Sequence, residues 1–250
     1  MDNSNQITAE NFVLDLSRRV LEPEEVISSE EAVAYANRKD NRTLTSKLLA
    51  TDIAEKLSLI KDSKVVEIAG GAGQLAYEIY KTVGCSIVST DGSPELIAAA
   101  SERYKDTPIK FFTENLHSHS GEGVYDAVVC KDSFHHFFDS KEALEEMFTL
   151  LKSKGKVYIF DLCRDADIEE VRYRADSIKS EHERMRFLRS LNASLKTKEF
   201  EKICEAHKLE IYYPLKFSQN NLEQHRIEIE KDPIKESELS TLFAVYIIEK

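Results

Sequence analysis

The residues of this chain that are best placed to do chemistry lie in a glycine-rich stretch at positions 64–76. A β-branched run leads to Glu67, and Gly70, Gly71 and Gly73 follow before a run of helix-forming residues. Strand, tight loop and helix in this order open the nucleotide-binding sheets of α/β proteins. Glycine adopts backbone angles closed to other residues and lets a ligand lie against the main chain. Because the amides that start the next helix are unpaired donors, the stretch predicts a nucleoside site.

Two kinds of nucleoside cofactor fit this layout. The spacing Gly71-x-Gly73-x-x-Ala76 satisfies the dinucleotide fingerprint, and Asp91 lies about 20 residues further on, where a ribose-binding acid is expected. Glu67 favours a different ligand, because a carboxylate beside the loop would repel a pyrophosphate and attract a cationic sulfonium. An NAD-dependent oxidoreductase therefore stays open as an alternative, and a sulfonium cofactor is the preferred interpretation.

The same loop resembles a known family motif. Residues 67–73 read Glu-Ile-Ala-Gly-Gly-Ala-Gly. This segment resembles the first motif of the S-adenosylmethionine-dependent methyltransferases with a Rossmann-like fold, usually written E/D-x-G-x-G-x-G. Ala69 replaces the first glycine of that pattern, and we expect Gly70 beside it to keep the loop flexible. The resemblance covers residues 64 to about 163 well, and it implies that the cofactor is S-adenosylmethionine.

The resemblance also implies which residues hold the cofactor. Asp91 ends the second predicted strand, where an acid can bind both ribose hydroxyls, and capping of the next helix is its structural alternative. The corner after the third strand often contacts adenine in this family. Phe112 stands where an aspartate is usual, which leaves Glu114 or Asn115 to supply that contact. The expected cofactor-binding set comprises Glu67, Ala69, Gly70, Gly71, Gly73, Asp91, Gly92, Glu114, Asn115 and Lys131.

Two adjacent histidines follow the predicted fourth strand. His135 and His136 stand in a Phe-His-His-Phe sequence, which resembles the L-H-H-F of many small-molecule methyltransferases. The carboxyl end of this strand lies at the switch point of the sheet, where ligands bind. Their ordinary pKa suits a general base at neutral pH, and for either one a structural role is an equal alternative. Tyr35 and Arg164 are the candidate acceptor-binding residues.

A sheet must position these residues. Hydrophobic patterning predicts one strand that leads into the glycine loop and six later ones. The later strands are expected at 86–90, 109–112, 124–130, 156–160, 209–217 and 242–248. The resemblance orders them as a Rossmann-like α/β sheet of seven strands, 3-2-1-4-5-7-6, mostly parallel with the last strand antiparallel. Such a last strand is absent from ordinary dinucleotide domains, so it also speaks against the oxidoreductase alternative.

Helical additions flank this sheet. The spacing of apolar residues over 1–60 predicts an N-terminal helical cap, with helices at 8–21, from about 30 to 36 and at 44–60. Residues 61–250 form the predicted methyltransferase domain, and residues 165–195 are a charged helical insertion. The resemblance implies that the cap covers the cofactor and that the insertion forms a substrate lid. Simple packing of these helices on the sheet is the alternative.

The amino-acid composition limits the kinds of partner that the chain is expected to bind. The chain has 34 Lys and Arg residues against 45 Asp and Glu residues, a net charge of −11, which disfavours binding to phosphate backbones. We expect a small-molecule acceptor, and the arginines from residue 164 onward would suit one that carries a carboxylate or phosphate. A polar N-terminus without a signal-peptide pattern and the absence of an apolar run of roughly 18 residues predict a cytoplasmic protein with no membrane partner.

The four cysteines lie far apart, so neither a disulfide framework nor a zinc knuckle is predicted. We expect reduced, buried thiols, and a reactive pair of Cys130 and Cys163 at the sheet edge is the alternative. A protein that binds the cofactor without turnover is a further alternative to the enzyme. The sequence does not identify the acceptor, the methylated atom or the oligomeric state.

Overall fold

Seven strands form one sheet in the computed structural model, which describes residues 14–22, 30, 34, 36, 42–118, 123–213 and 241–250. The strands lie in the order β3-β2-β1-β4-β5-β7-β6, and β7 runs antiparallel to both of its neighbours. The predicted fold class is therefore confirmed. The strands are β1 Lys64–Ile68, β2 Ser86–Asp91, β3 Lys110–Thr113, β4 Tyr125–Lys131, β5 Leu151–Leu162, β6 Lys208–Tyr212 and β7 Phe243–Glu249.

Helices cover both faces of the sheet, and most begin or end within a few residues of the predicted bounds. In β5, Val157 and Ile159 point into one apolar cluster while Tyr158 and Phe160 point into the other, as the period of two requires. The helices are α1 Arg42–Lys56, α2 Gln74–Val83, α3 Pro94–Arg103, α4 Ser140–Leu150, α5 Ile168–Ser177, α6 Glu181–Ala193 and α7 Thr197–Ile203, with 3₁₀ turns at Leu116–Ser118 and Phe134–His136.

Strand β5 begins five residues before its predicted start. Residues 153–155, which the sequence predicts as a turn, lie inside this strand as a bulge. Pairing with β4 passes from Tyr125 opposite Leu151 directly to Ala127 opposite Lys156. The three residues that the sequence predicts to close the preceding helix thus form a bulge inside the strand.

The N-terminal segment departs from its prediction. Residues 14–22 contain no helix, so the predicted helix at 8–21 is wrong over that part, and residues 8–13 lie outside the described ranges. The side chain of Arg19 accounts for the difference. Its guanidinium donates to the carbonyl of Ala193 at 2.7 Å, to Ser140 Oγ at 2.8 Å, and to the carbonyls of His135 and Phe137 at 3.2 and 3.0 Å. Tertiary hydrogen bonds therefore decide the path of this segment.

Of the helix predicted from about 30 to 36, the described residues Glu30, Ala34 and Ala36 are helical, and Tyr35 lies outside the described ranges. The charged insertion forms two helices, α5 and α6, whose apolar sides join one cluster through Val171, Leu188 and Leu191. Within the ranges that the structure describes, each helix is too short or too polar to cross a membrane.

Candidate functional site

The loop that leaves β1 has the backbone that the glycines predict. Gly71 and Gly73 take φ values of 56° and 72°, in the left-handed region. Ala69 takes φ 54° as well, so the loop departs from ordinary angles where the family pattern has its first glycine. The Gly70 amide donates to the Thr90 carbonyl at 2.8 Å, which closes the loop against β2.

Gly70 has a steric task in this loop. Its φ is not positive, so the loop does not need a glycine here for a left-handed turn, and the expected flexibility stays a prediction. A Cβ at this position would lie 2.2 Å from Ser89 Oγ and 2.5 Å from Glu67 Oε2. Gly70 is therefore needed for the space that it leaves to the side chains beneath it.

Glu67 lies under the loop main chain and is only 2% exposed. Its Oε2 accepts a hydrogen bond of 2.7 Å from Ser89 Oγ, which the sheet register places directly opposite on β2. Burial raises the pKa of the carboxyl to about 7, against the opposing effects of Ser89 and Lys131. Glu67 therefore supports the main chain of the glycine loop, which we call the cofactor cradle.

Asp91 ties the glycine loop to the end of β2. Its Oδ2 accepts from the Gly71 amide at 2.8 Å, and its Oδ1 accepts from the Ser93 amide at 2.9 Å. Burial raises its pKa above the ordinary value, and these two amides act in the opposite direction. The cap of α3 is Ser93, whose hydroxyl accepts from the Leu96 amide, so capping does not explain Asp91. Each carboxylate oxygen keeps acceptor capacity for a hydroxyl of a ligand.

The corner after β3 meets the end of β2. The Glu114 amide donates to the Asp91 carbonyl at 3.1 Å. A Cβ on Gly92 would lie 2.4 Å from Asn115 Oδ1, so the Asn115 side chain packs over that glycine. The structure thus brings together four predicted cofactor residues, Asp91, Gly92, Glu114 and Asn115. Lys131, at the end of β4, pairs with Asp132.

The first histidine of the pair is a buried ion-pair partner. His135 is 3% exposed, and its Nδ1 lies 2.6 Å from Asp161 Oδ1. Its main-chain amide donates to Asp161 Oδ2 at 2.8 Å. Burial works against a charge on this ring, but Asp161 outweighs it and the pKa of His135 is raised. Asp161 was not among the predicted site residues, although its position at the end of β5, beside the end of β4, was the available signal.

The second histidine is more exposed. The His136 side chain is 49% exposed, and its ring centroid lies 4.2 Å from that of His135. Burial and then the neighbouring His135 lower the pKa of His136 to about 4. The expectation of a pKa near neutrality does not hold for this ring. It is a neutral imidazole at physiological pH.

A third group, which the sequence did not indicate, faces both rings. Glu22 Oε2 lies 3.7 Å from His135 Nε2 and 3.7 Å from His136 Nδ1. The same oxygen accepts from Ser190 Oγ of α6 at 2.8 Å. No spacing pattern links residue 22 to residue 135, so only the fold reveals this contact.

Arg164 belongs to the fold rather than to the acceptor site. It is 1% exposed, and its guanidinium donates to the Ser194 carbonyl at 2.8 Å, the Leu16 carbonyl at 3.1 Å and the Glu199 carboxylate at 2.5 Å. The interpretation of this arginine as an acceptor ligand is therefore replaced by a structural one. Tyr35, the other predicted acceptor residue, lies outside the described ranges.

The four cysteines are free and buried, which confirms their prediction. Burial raises the pKa of Cys163 to about 11 and that of Cys130 well above its ordinary value. Neither thiol is a nucleophile at neutral pH, because the thiolate is the reactive form.

Comparison with known sequences agrees with this geometry. Residues 66–159 match the profile of a family described as Methyltransferase domain. Two uncharacterized methyltransferases of Schizosaccharomyces pombe are each 25% identical over 114 residues, covering 46% and 41% of this chain and 45% and 40% of theirs. The match thus spans less than half the length of these relatives.

Solved structures extend the likeness to the whole sheet. The plantazolicin methyltransferase BpumL, in complex with SAH and a triazolic desmethylPZN analog, is 18% identical with a TM-score of 0.64, covering 89% of both chains. The YcgJ protein from Bacillus subtilis is 15% identical with a TM-score of 0.55, covering 80% of this chain and 96% of that one. At these identities the likeness is one of fold. Residues 66–159 therefore match a methyltransferase domain, and the chain shares the seven-stranded Rossmann-like fold of these solved structures.

Proposed function

We propose that this chain transfers the methyl group of S-adenosylmethionine to a small-molecule acceptor. The observation that carries the proposal is the Asp91 carboxylate, bonded at 2.8 Å to the Gly71 amide at the carboxyl edge of the sheet. This contact holds an acid against a left-handed glycine turn, beside a helix N-terminus. That arrangement suits a nucleoside with two free ribose hydroxyls.

Each part of the cofactor has a proposed set of contacts. Asp91 binds the ribose hydroxyls through the acceptor capacity that its oxygens retain. Gly92, Glu114 and Asn115 line the adenine end, because the corner after β3 closes on the end of β2 there. Glu67 acts from beneath, by fixing the loop through Ser89. Ala69, Gly70 and Gly73 give the main chain its close approach, and Lys131 lies at the neighbouring end of β4.

When bound, the cofactor would supply a sulfonium methyl group whose carbon an acceptor nucleophile attacks in line, with S-adenosylhomocysteine as the leaving group. The protein's part is mainly positioning, which can be worth on the order of 7–11 kcal/mol when two reactants are held in line. A general base is needed only for a nucleophile that arrives protonated. His136 is the more accessible candidate of the two histidines, and its lowered pKa, about 4, makes it a weak base.

The acceptor is proposed to be small because the chain offers little to a phosphate polymer. Its net charge is −11, and affinity for nucleic acid depends on neutralised phosphates. We further propose that α5 and α6 form the lid over the acceptor and that residues 1–60 form the cap. The desmethylPZN analog held by BpumL supports a small-molecule class. A cytoplasmic location stays a prediction.

Calorimetry with S-adenosylhomocysteine tests the cofactor site. Asp91→Ala should weaken binding at least tenfold, about 1.4 kcal/mol. Asp106→Ala is the matched control, because Asp106 is an exposed carboxylate in the turn before β3 and its removal should leave affinity unchanged. Binding of NAD with no response to S-adenosylhomocysteine would refute the proposal. Incubating metabolite extracts with methyl-labelled S-adenosylmethionine then separates an enzyme, which labels an acceptor, from a protein that only binds the cofactor.

A further inference from the structure

The cluster of Glu22, His135 and His136 has the donor atoms of a metal site. One ligand atom from each residue lies within 4.8 Å of the other two. Two imidazole nitrogens are borderline donors that suit zinc, copper, iron and nickel better than magnesium or calcium, and two histidines with one glutamate form a known zinc ligand set. The three residues come from two distant parts of the chain, the N-terminal segment and the 3₁₀ turn after β4.

One donor atom in this cluster is buried and unsatisfied. His135 Nε2 has no hydrogen-bond partner among the residues that the structure describes. It faces Glu22 Oε2 at 3.7 Å, beyond hydrogen-bond reach. A buried polar nitrogen without a partner is unfavourable, so its persistence needs an explanation.

The other side of the His135 ring is fixed as in known metal sites. Asp161 already accepts from two main-chain amides, those of His135 and Leu162, at 2.8 and 2.7 Å. A carboxylate in that position is an acceptor, so His135 Nδ1 donates to it. This contact directs the lone pair of Nε2 toward Glu22. A carboxylate that orients a ligating histidine through its second nitrogen is a recurrent feature of zinc sites.

Glu22 is oriented in a similar way. Its side chain is 4% exposed and its Oε2 accepts from Ser190 Oγ at 2.8 Å. On the same segment, Arg19 binds the main chain of the histidine turn and so holds Glu22 in register with the rings.

The spacing requires little adjustment. Zinc–nitrogen bonds of about 2.0–2.1 Å place two ligand atoms of a tetrahedral site roughly 3.3–3.5 Å apart. Glu22 Oε2 lies 3.7 Å from both histidine nitrogens, so shifts of a few tenths of an ångström bring it into range. The charges facing His135 include Asp161, Glu22 and Asp132, while Arg186 faces His136. Three carboxylates thus face the His135 ring, while the guanidiniums nearby are those of Arg186 and of Arg19, which bonds the His135 carbonyl.

We propose that Glu22, His135 and His136 bind one divalent transition-metal ion of the zinc class. Three protein ligands leave at least one coordination position open, as catalytic zinc sites do. The His136 side chain is half exposed, so that position is reached from outside. The site lies one turn beyond Ser133, whose hydroxyl contacts the Ala69 carbonyl of the glycine loop at 3.5 Å. An anionic oxygen or sulfur of an acceptor would be the ligand for the open position.

Metal titration of the chelator-treated full chain tests this site. Calorimetry with Zn²⁺ and absorption spectra with Co²⁺ should give one ion per chain. Glu22→Gln and His136→Gln should each weaken binding by about tenfold or more. His117→Gln is the matched control, because His117 also pairs with a carboxylate, Glu146, at 2.6 Å but belongs to no group of three such ligands among the described residues. Mg²⁺ should not compete.

Folding and the cofactor site are checked in the same samples. Affinity for S-adenosylhomocysteine should be unchanged in both variants, so failure of the metal site is distinguishable from failure of the proposed function. Zn²⁺ should raise the melting temperature of the wild type and of His117→Gln, but not of the two ligand variants. Absence of stoichiometric Zn²⁺ binding would overturn the proposal. Binding that survives both ligand substitutions would do the same, since the ion would then lie at another site.

Discussion

A single methyl group added at Gly70 should damage the cofactor cradle. The Cβ of Gly70→Ala would lie 2.2 Å from Ser89 Oγ and 2.5 Å from Glu67 Oε2, whereas ordinary contact begins at 3.4 Å. Both neighbours are buried, since Ser89 is 0% exposed and Glu67 is 2% exposed. Either the Ser89–Glu67 hydrogen bond breaks, or the loop lifts and carries the Gly71 amide away from Asp91.

The size of the effect follows from these two outcomes. A hydrogen bond to a charged group contributes about 1.5–3 kcal/mol. Forcing a methyl group into a packed site costs about 1–3 kcal/mol. We expect the free energy of unfolding to fall by about 2–4 kcal/mol. For a chain of this size, a loss of 3 kcal/mol lowers the melting temperature by roughly 6–12 °C.

Thermal melting and calorimetry with S-adenosylhomocysteine measure the two consequences. Gly70→Ala should weaken cofactor binding at least tenfold in protein that is still folded. Gly84→Ala is the control, because a Cβ there meets nothing within 4 Å, although the φ of 75° is itself unfavourable for alanine. That variant should lose about 1–2 kcal/mol of stability and bind the cofactor normally.

A double variant decides whether Ser89 transmits the damage. Ser89→Ala removes the closer of the two contacts, so it should cost less stability in the Gly70→Ala background than alone. Strictly additive losses would show that the two sites do not interact. If Gly70→Ala binds S-adenosylhomocysteine as tightly as the wild type, the inference that this glycine supplies space is wrong.

Two further predictions concern buried charges. Burial raises the Glu67 pKa from 4.5 to about 7, so the folded chain holds this proton more tightly than the unfolded chain. The bound proton therefore stabilises the folded chain fully below about pH 4.5, and this stabilisation is lost as the pH rises through 7. Between pH 5 and pH 8 the free energy of unfolding of Glu67→Gln should therefore rise, relative to that of the wild type, by on the order of 1–3 kcal/mol. Urea unfolding of both proteins at four pH values measures this difference, and a constant difference contradicts it. Arg164→Met should lower the free energy of unfolding by about 2–4 kcal/mol, because three acceptors lose their donor, without changing affinity for S-adenosylhomocysteine. A variant that melts like the wild type contradicts the structural assignment of Arg164.

The cradle was predictable from sequence because its determinants are local. Gly71 and Gly73 stand where the chain takes φ values of 56° and 72°, and no other residue type adopts such angles as readily. Asp91 follows from the length of one helix and one strand, which fixes its distance along the chain from the loop. The strand order follows from the resemblance that these local motifs carry. The steric role of Gly70 was not predicted, because the crowding around it depends on Ser89 of the neighbouring strand.

The N-terminal segment was not predictable, since its conformation is decided at long range. The spacing of apolar residues over 8–21 favours a helix, yet Arg19 makes hydrogen bonds to residues at least 116 positions away. Those bonds hold residues 14–22 in a non-helical path against the histidine turn. A periodic pattern predicts which residues are apolar on one face, but it contains no information about distant acceptors.

The anchoring of this segment makes the N-terminus part of the site itself. Arg19 binds the main chain of the histidine turn from one side, and Glu22, three residues later, faces both rings from the other. Ser190 of α6 bonds to the same glutamate, so the insertion is joined to the segment at this point. Within the described residues, the N-terminal segment and the insertion therefore meet beside His135. The loop is built from adjacent elements of the sheet, whereas the cluster at His135 depends on segments from outside it. Differences in acceptor between proteins of this fold can therefore arise at the histidine turn while the cradle stays unchanged.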